Sequence, residues 1–333
     1  MVLSDLARRY AKPIAAFRKW GPGVIGAVLL VASIWVLWRE FQHLSWSDLV
    51  SRMAMWGPSH VAWACILSLA SFALLGVVEW MALRWSGMPL PWRTAMVKSF
   101  IVNGITHTLG SSVVIATAAR SWAYGRDGLR LAPSAMTSIF NAVSFTLGLV
   151  LLVGVGLLVA TPEQMAAVRL AAWQGRVVAW MCLMIIAVYI AGCRVWPDRW
   201  RLFNVPAPTL SYAIGQVVLG AIDNALSAAI LWMLAGPEHL PFASFVFAYA
   251  IACAVASLSH VPGGLGVFEG ALAALMPNVD RQALAAGFIG FRLVFYIAPL
   301  MLSVLIALID GTFRRGAMVK PDPDRPDSEI SVS

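Results

Sequence analysis

Charge is scarce in this chain. Of 333 residues, only 12% are Asp, Glu, Lys or Arg, against 60% hydrophobic, and the mean hydropathy is +0.79. A water-soluble domain carries about twice that share of charge, so a soluble globular fold is excluded. Cysteine is equally sparse. Cys65, Cys182, Cys193 and Cys253 lie singly within or at the ends of apolar runs, with no C-x-x-C pair and no His/Cys cluster. Packing is therefore the role expected of the thiols, and no metal or other cofactor is expected. The chain also lacks H-E-x-x-H, G-x-S-G and P-loop patterns, which leaves hydrolytic or nucleotide-driven chemistry without a sequence mark. Finally, the short alternating segments of a transmembrane barrel are absent.

What is present is a series of apolar runs near the 20 residues that a helix needs to cross a ~30 Å hydrocarbon core. Full spans are expected near 22–38, 60–83, 134–160, 173–193, 211–235 and 283–309. Two further stretches, 99–119 and 243–276, are interrupted by Gly, Ser and Pro. The fold class is an all-α polytopic membrane protein. The formal net charge of +8 invites a nucleic-acid reading, but its placement argues against one. Eighteen of the 24 Lys and Arg fall in the N-terminus, in 84–98, 120–130 and 194–209, and in the tail after Asp310. Those segments are cytoplasmic by the positive-inside bias, which places both termini in the cytoplasm. Three regions follow: a basic N-terminus (1–21), a transmembrane domain (22–310) and a Pro-rich tail (311–333) expected to be disordered. The first span has no small-residue cleavage site behind it and reads as retained. Residues 39–59, with Trp46, Leu49, Met53 and Trp56 at helical spacing, fit either an interfacial helix or an ordinary covered loop helix.

Segments 84–98 and 120–130 are both basic, so the stretch between them must return to the side it left. Twenty-one residues cannot cross twice, and a re-entrant hairpin is expected, broken at Leu109-Gly110-Ser111-Ser112. The second interrupted stretch breaks at His260-Val261-Pro262-Gly263-Gly264-Leu265-Gly266 and enters from the opposite face. Broken helix at membrane depth is tolerated where protein covers it or water meets it. Internal matches follow in order: Leu75-Gly76-x-x-Glu79 with Leu219-Gly220-x-x-Asp223, Leu90-Pro91 with Leu240-Pro241, and Thr106-His107-x-x-Gly110 with Ser259-His260-x-x-Gly263. Together with opposed hairpins they point to an inverted repeat, a plan in which substrate binds where the two breaks meet.

Charges inside apolar runs cost roughly 2.5–3.5 kcal/mol each on insertion scales and need partners or water. Arg292 lies about 14 Å into its span at ~1.5 Å per residue. Asp223 is similarly deep, and Glu269 follows the Gly-rich break. Glu269 and Arg292 are expected to face each other, with His260 nearby. Arg292 and the amides around Gly263, Gly264 and Gly266 then form a candidate lipid-phosphate site; a structural ion pair is the competing reading. Asp223, Glu79 and His107 are candidates for ion or proton coupling, with interhelical hydrogen bonding as the alternative for Asp223-Asn224. Asn103 and Asn141 are expected to join helices. Arg120, Arg126 and Arg130 fit headgroup gathering or simple topology.

The run Ser259-His260-Val261-Pro262-Gly263-Gly264-Leu265-Gly266-Val267-Phe268-Glu269, with Arg292 and Phe295-Tyr296-x-x-Pro299-Leu300 behind it, resembles the signature of the lysylphosphatidylglycerol synthase transmembrane-domain, or flippase-like, family. Gly110 and Arg120 around the first hairpin add to the likeness, which covers roughly residues 20–310. It implies a bacterial inner (cytoplasmic) membrane protein that moves phospholipid, aminoacylated phospholipid or isoprenoid lipid between leaflets. Arg120 joins the headgroup-binding candidates on this basis. The soluble aminoacyl-transfer domain of larger members has no counterpart after Arg315, so a non-enzymatic, standalone form is expected. The chain departs from the family pattern at Ile115-Ala116-Thr117-Ala118-Ala119-Arg120, where no acidic residue precedes the arginine; this leaves a charge-paired role for Arg120 without support. The expected function is lipid translocation through a groove between the hairpins. The alternative is a non-transporting partner of lipid-synthesis enzymes, and an intramembrane enzyme is the weakest reading. The partners expected are membrane lipids, joined under the alternative reading by a lipid-synthesis enzyme, and not nucleic acid.

Overall fold

The computed structural model describes residues 46–109, 113–195, 207–236, 241–259, 264 and 266–309. Among these, all regular structure is helical. In chain order the helices are α1 (Trp46–Ala54), α2 (Pro58–Trp85), α3 (Trp92–Leu109), α4 (Val113–Ala123), α5 (Leu131–Val159), α6 (Pro162–Ala167), α7 (Ala172–Val195), α8 (Leu210–Ala235), α9 (Phe242–Ser259), α10 (Val267–Leu275) and α11 (Arg281–Ile309). Local sequence sets several ends. Pro58 opens α2 where its missing N–H costs nothing. Thr161 and Gln164 close a reciprocal capping box on α6, and Asp280 accepts from the Gln282 amide at the start of α11.

Six described helices are long and apolar enough to cross a membrane: α2, α5, α7, α8, α9 and α11. Five coincide with expected spans; the expected span at 22–38 lies outside the described residues. The sixth, α9, was expected as one arm of a hairpin. Its break comes only after Ser259, and the Ala- and aromatic-rich run before it fills 18 residues, the length of a crossing. The apolar side chains sort as a bilayer requires. On α7, Trp180, Met181, Met184, Ile185 and Val188 are all more than half exposed, a face suited to lipid. α8 is the opposite case, surrounded by α2, α5, α7, α9 and α11.

The packing pattern repeats. α2 packs on α3 and α5, as α8 packs on α9 and α11; α3 packs on α11, as α9 packs on α5. Within each half the interrupted pair, α3 with α4 and α9 with α10, packs on itself. The two leading helices, α2 and α8, meet along the middle. Several contacts of one half thus have counterparts in the other, although α5 packs on α8 far more extensively than α11 packs on α2.

With no water to expel between helices in lipid, close backbone approach carries the packing. α5 and α8 cross at Gly148 and Gly220. A Cβ on Gly220 would stand 2.0 Å from the Ser144 carbonyl oxygen, and one on Gly148 would stand 2.1 Å from the Gly220 carbonyl carbon. α1 is no free interfacial helix: Met53 and Trp56 pack on Ala285, Ala286 and Ile289 of α11, and the Trp56 indole donates to the Leu234 carbonyl (3.1 Å). Arg52 adds an ion pair with Asp280.

Replacing Gly220 with Val should therefore destabilise the protein by about 3 kcal/mol, whereas Gly125→Ala, with open space around the new methyl, should be neutral. Thermal unfolding in detergent micelles would compare the two, and equal melting temperatures would rule out the proposed backbone contact.

Candidate functional site

Each interrupted helix pair carries an acid–arginine pair, and the two pairs are held differently. In the second half, Glu269 sits in the first turn of α10. One carboxylate oxygen accepts from the Gly266 amide (2.7 Å) and the other from the Arg292 guanidinium of α11. The carboxylate thus caps the helix that restarts after the break and ties it to the last span. Gly264 and Gly266 carry positive φ, 60° and 77°, which side-chain-bearing residues adopt at a cost. The expectation that Glu269 and Arg292 face each other is met. His260 and Gly263 lie outside the described residues.

Arg292 is not consumed by that pair. It is 22% exposed, its Nη2 bonds Glu269, and it lies 5.7 Å from the Tyr296 ring centre. Among the described residues its other N–H groups have no acceptor. Its direction is set by an irregular turn. From Leu293 to Ile297 the backbone of α11 widens to a π turn, with the Ala298 N–H reaching the Leu293 carbonyl, and Pro299, which has no N–H, follows. One extra residue in a turn rotates the two helix segments by about 100° relative to one another. Arg292 can thereby face α10 while Ser303, farther along, bonds the Phe100 carbonyl of α3 (2.9 Å). The Val294 carbonyl of the same turn accepts from Ser68 of α2 (3.1 Å).

The helix that precedes the first interruption reaches the same place. His107, in the last turn of α3, lies with its ring 5.6 Å from Phe72, 5.5 Å from Phe295 and 6.2 Å from Tyr296. Gly104 lets α3 approach this closely, since a Cβ there would meet Ser303 and the Pro299 carbonyl. Tyr296 therefore stands between the helix that leads into the first break and the guanidinium held at the second. This placement of Tyr296 was not expected from sequence, where it was only part of a family motif.

Arg120 and Glu79 turn out differently from expectation. Arg120 of α4 is 2% exposed and Glu79 of α2 is fully buried. The guanidinium Nε donates to Oε1 (2.9 Å) and its Nη2 to Oε2 (2.7 Å), while Nη1 donates to the Ser138 hydroxyl (3.0 Å). Asn141 of α5 adds a bond to the same carboxylate (3.1 Å). Arg120 is charge-paired after all, with a partner 41 residues earlier. Neither group is presented to a headgroup or a passing ion in this arrangement. Lys98 of α3, paired with Asp127 and 5.7 Å from the Tyr124 ring centre, closes the same end of the hairpin.

Asp223 sits in the middle of α8 and accepts a hydrogen bond from Ser71 of α2; the next residue, Asn224, donates to the Gly220 and Phe145 carbonyls. Asn141 joins helices as expected. Asn103 does not: its amide turns back to Ser99 on its own helix.

The transmembrane-region model of lysylphosphatidylglycerol synthase matches residues 24–303. The chain belongs to that family. It is 26% identical to an uncharacterized protein, slr0712, of Synechocystis over 85% of this chain and 89% of that protein. It is 27% identical to the inner membrane protein YbhN of Escherichia coli over 73% of this chain and 77% of that one. A phosphatidylglycerol lysyltransferase of Staphylococcus xylosus matches at 31% identity over 29% of this chain and 11% of its own length. Family membership and six membrane-length helices make this a multi-pass membrane protein of the lysylphosphatidylglycerol synthase transmembrane family.

Within that family fold, the Glu79–Arg120 pair is buried tightly enough that removing one partner should strand the other. Glu79→Ala and Arg120→Ala should each cost about 3–5 kcal/mol, and the double variant clearly less than their sum. Denaturant unfolding of the three variants in micelles tests this; additive losses would mean that the two groups do not stabilise one another.

Proposed function

We propose that the protein translocates a phospholipid with an anionic headgroup, most simply phosphatidylglycerol, between the leaflets of a bacterial inner membrane, without enzymatic chemistry. The observation that carries this reading is the meeting of the two interrupted helix pairs at Tyr296 and Arg292. A partly exposed guanidinium, anchored on one side by Glu269, has N–H donors left over among the described residues. A phosphate is the ligand that such a group binds best in a low-dielectric setting. The acyl chains need no protein path, because the outer face of the bundle is apolar.

The hairpins are read here as re-entrant, entering from opposite faces with both termini in the cytoplasm. The distribution of Lys and Arg supports this. Location in the inner membrane is supported by the printed name of the Escherichia coli relative, and an anionic glycerolipid by that of the Staphylococcus xylosus one. The bond between Glu269 and Arg292 also supports a second reading, in which the pair only ties the second hairpin down and the protein serves as a membrane partner of lipid-synthesis enzymes.

Reconstitution with head-group-labelled phosphatidylglycerol and quenching of the outer leaflet separates the two. The protein should flip label. Arg292→Ala should slow flipping at least ~10-fold, the loss expected for one charge-assisted contact, while remaining folded. Exchanging the charges (Glu269→Arg with Arg292→Glu) should not restore it. No flipping by the unaltered protein, or full rescue by the exchange, would favour the structural pair.

A further inference from the structure

Five acidic side chains are described in full, and four have a cation. Glu79 holds Arg120, Asp127 holds Lys98, Glu269 holds Arg292 and Asp280 holds Arg52. Asp223 is the exception: among the described residues no Lys, Arg or His lies within ion-pair distance of it. It is also badly placed to do without one. Asp223 is 6% exposed, near the middle of the most enclosed helix, with the Ser71 hydroxyl as its hydrogen-bond donor. A lone carboxylate in such a place cannot stay ionised cheaply; it takes up a proton or a cation.

The surroundings bear on which. α2 brings Cys65 and Glu79, the latter held by Arg120; α5 brings no titratable group. α7 brings Cys182, Cys193 and Tyr189, whose hydroxyl is bonded to Gln216. α9 brings Tyr249, which lies within electrostatic reach of Asp223, and Cys253; α11 brings Tyr296 and Arg292, already bonded to Glu269. The other cations of these helices, His60, Arg84, Arg176, Arg194 and Arg281, stand near helix ends, and among the described residues no cation pairs with Asp223. Among the described residues no group of three or more His, Cys, Asp or Glu side chains gathers around it to hold a metal cation. One carboxylate and one hydroxyl suit a proton better than a sodium ion, which needs several oxygen ligands.

The position matters as much as the charge. α2 and α8 are the counterpart helices of the two repeats, and the Ser71–Asp223 bond joins them where they pack. One turn away, Ser68 of the same α2 face holds the π turn that directs Arg292. A change in charge at Asp223 is thus felt at the seam between the halves and, through one helix turn, beside the headgroup site. Resting on the translocation reading above, we propose that Asp223 is the proton-carrying group of this protein. It takes up one proton to form the neutral acid and releases it to the opposite side, coupling lipid movement to a proton gradient. Glu79, its counterpart in the repeat, does not serve, because both of its carboxylate oxygens already accept from Arg120.

Two measurements test this. Infrared difference spectra of the purified full-length protein should show the carbonyl stretch of a protonated carboxyl at neutral pH, and Asp223→Asn, which keeps an acceptor for Ser71, should remove it. In proteoliposomes with labelled phosphatidylglycerol, a one-unit pH gradient should drive about tenfold leaflet asymmetry of label at one proton per lipid. The Asn variant should flip label at a rate indifferent to the gradient. An ionised Asp223 at neutral pH, an unchanged gradient response in Asp223→Asn, or asymmetry driven by a sodium gradient instead would each overturn the proposal. A protonated Asp223 in a protein that moves no label would defeat the translocation reading and overturn coupling with it, leaving the proton as a structural one.

Discussion

The bilayer supplies no water to satisfy a polar group, so any charge or interrupted backbone placed at its depth must find a partner within the protein. The main polar features of this fold answer that constraint. The first interrupted pair, α3 and α4, is closed by Glu79–Arg120 together with Ser138 and Asn141, a cluster in which every guanidinium nitrogen donates to a side chain. The second pair, α9 and α10, is closed by Glu269, which satisfies a backbone amide of the break and an arginine at once. In the π turn of α11, Ser68 of a neighbouring helix reaches the Val294 carbonyl. Irregular backbone persists here because a neighbour covers it.

The two halves answer the constraint unequally. In the first, the arginine is 2% exposed and bonded on all sides, an arrangement whose removal costs far more than its presence contributes. In the second, the arginine is 22% exposed and bonded through one nitrogen. The repeat mates Glu79 and Asp223 differ in the same sense, one with an arginine and the other with a serine. An inverted repeat whose halves were chemically identical would have two equivalent sites. On the inverted-repeat reading, this fold has a locked half and a half with unspent hydrogen-bonding capacity, and the proposed function uses the latter for lipid and proton.

How much of this could be read from the sequence depended on separation along the chain. Membrane-length runs announce themselves because 20 apolar residues have no other economical home, and five of the described spans lie where hydropathy put them. The Gly-rich break and the acid and base that flank it were visible for a similar reason: Glu269 and Arg292 stand beside one another's elements, with a single turn between. Arg120 was missed because its partner lies on a helix that ends before the hairpin begins. Nothing local marks Glu79 as facing α4 and not a pore, and the search for an acid just before the arginine looked at the wrong element. Tyr296 and His107 were legible as residues but not as neighbours, since their meeting depends on Gly104 and Ser303 fitting together between α3 and α11. α9 ends at Ser259, where the sequence placed the interruption; its 18 residues suit a hairpin arm or a short span alike, because the two have the same composition.

The π turn links these features to one another. A helix with regular i to i−4 bonds from Arg281 to Ile309 would place Arg292 and Ser303 eleven residues apart, close to the same azimuth at 3.6 residues per turn. They would then compete for one neighbour. The extra residue in the turn separates their directions, so that one end of α11 serves the second interrupted pair and the other end serves the first. Pro299 favours this state by withholding an N–H from the regular ladder. α11 is therefore the element that joins the two interrupted pairs, and Ser68 of α2 holds it at its irregular turn through the Val294 carbonyl.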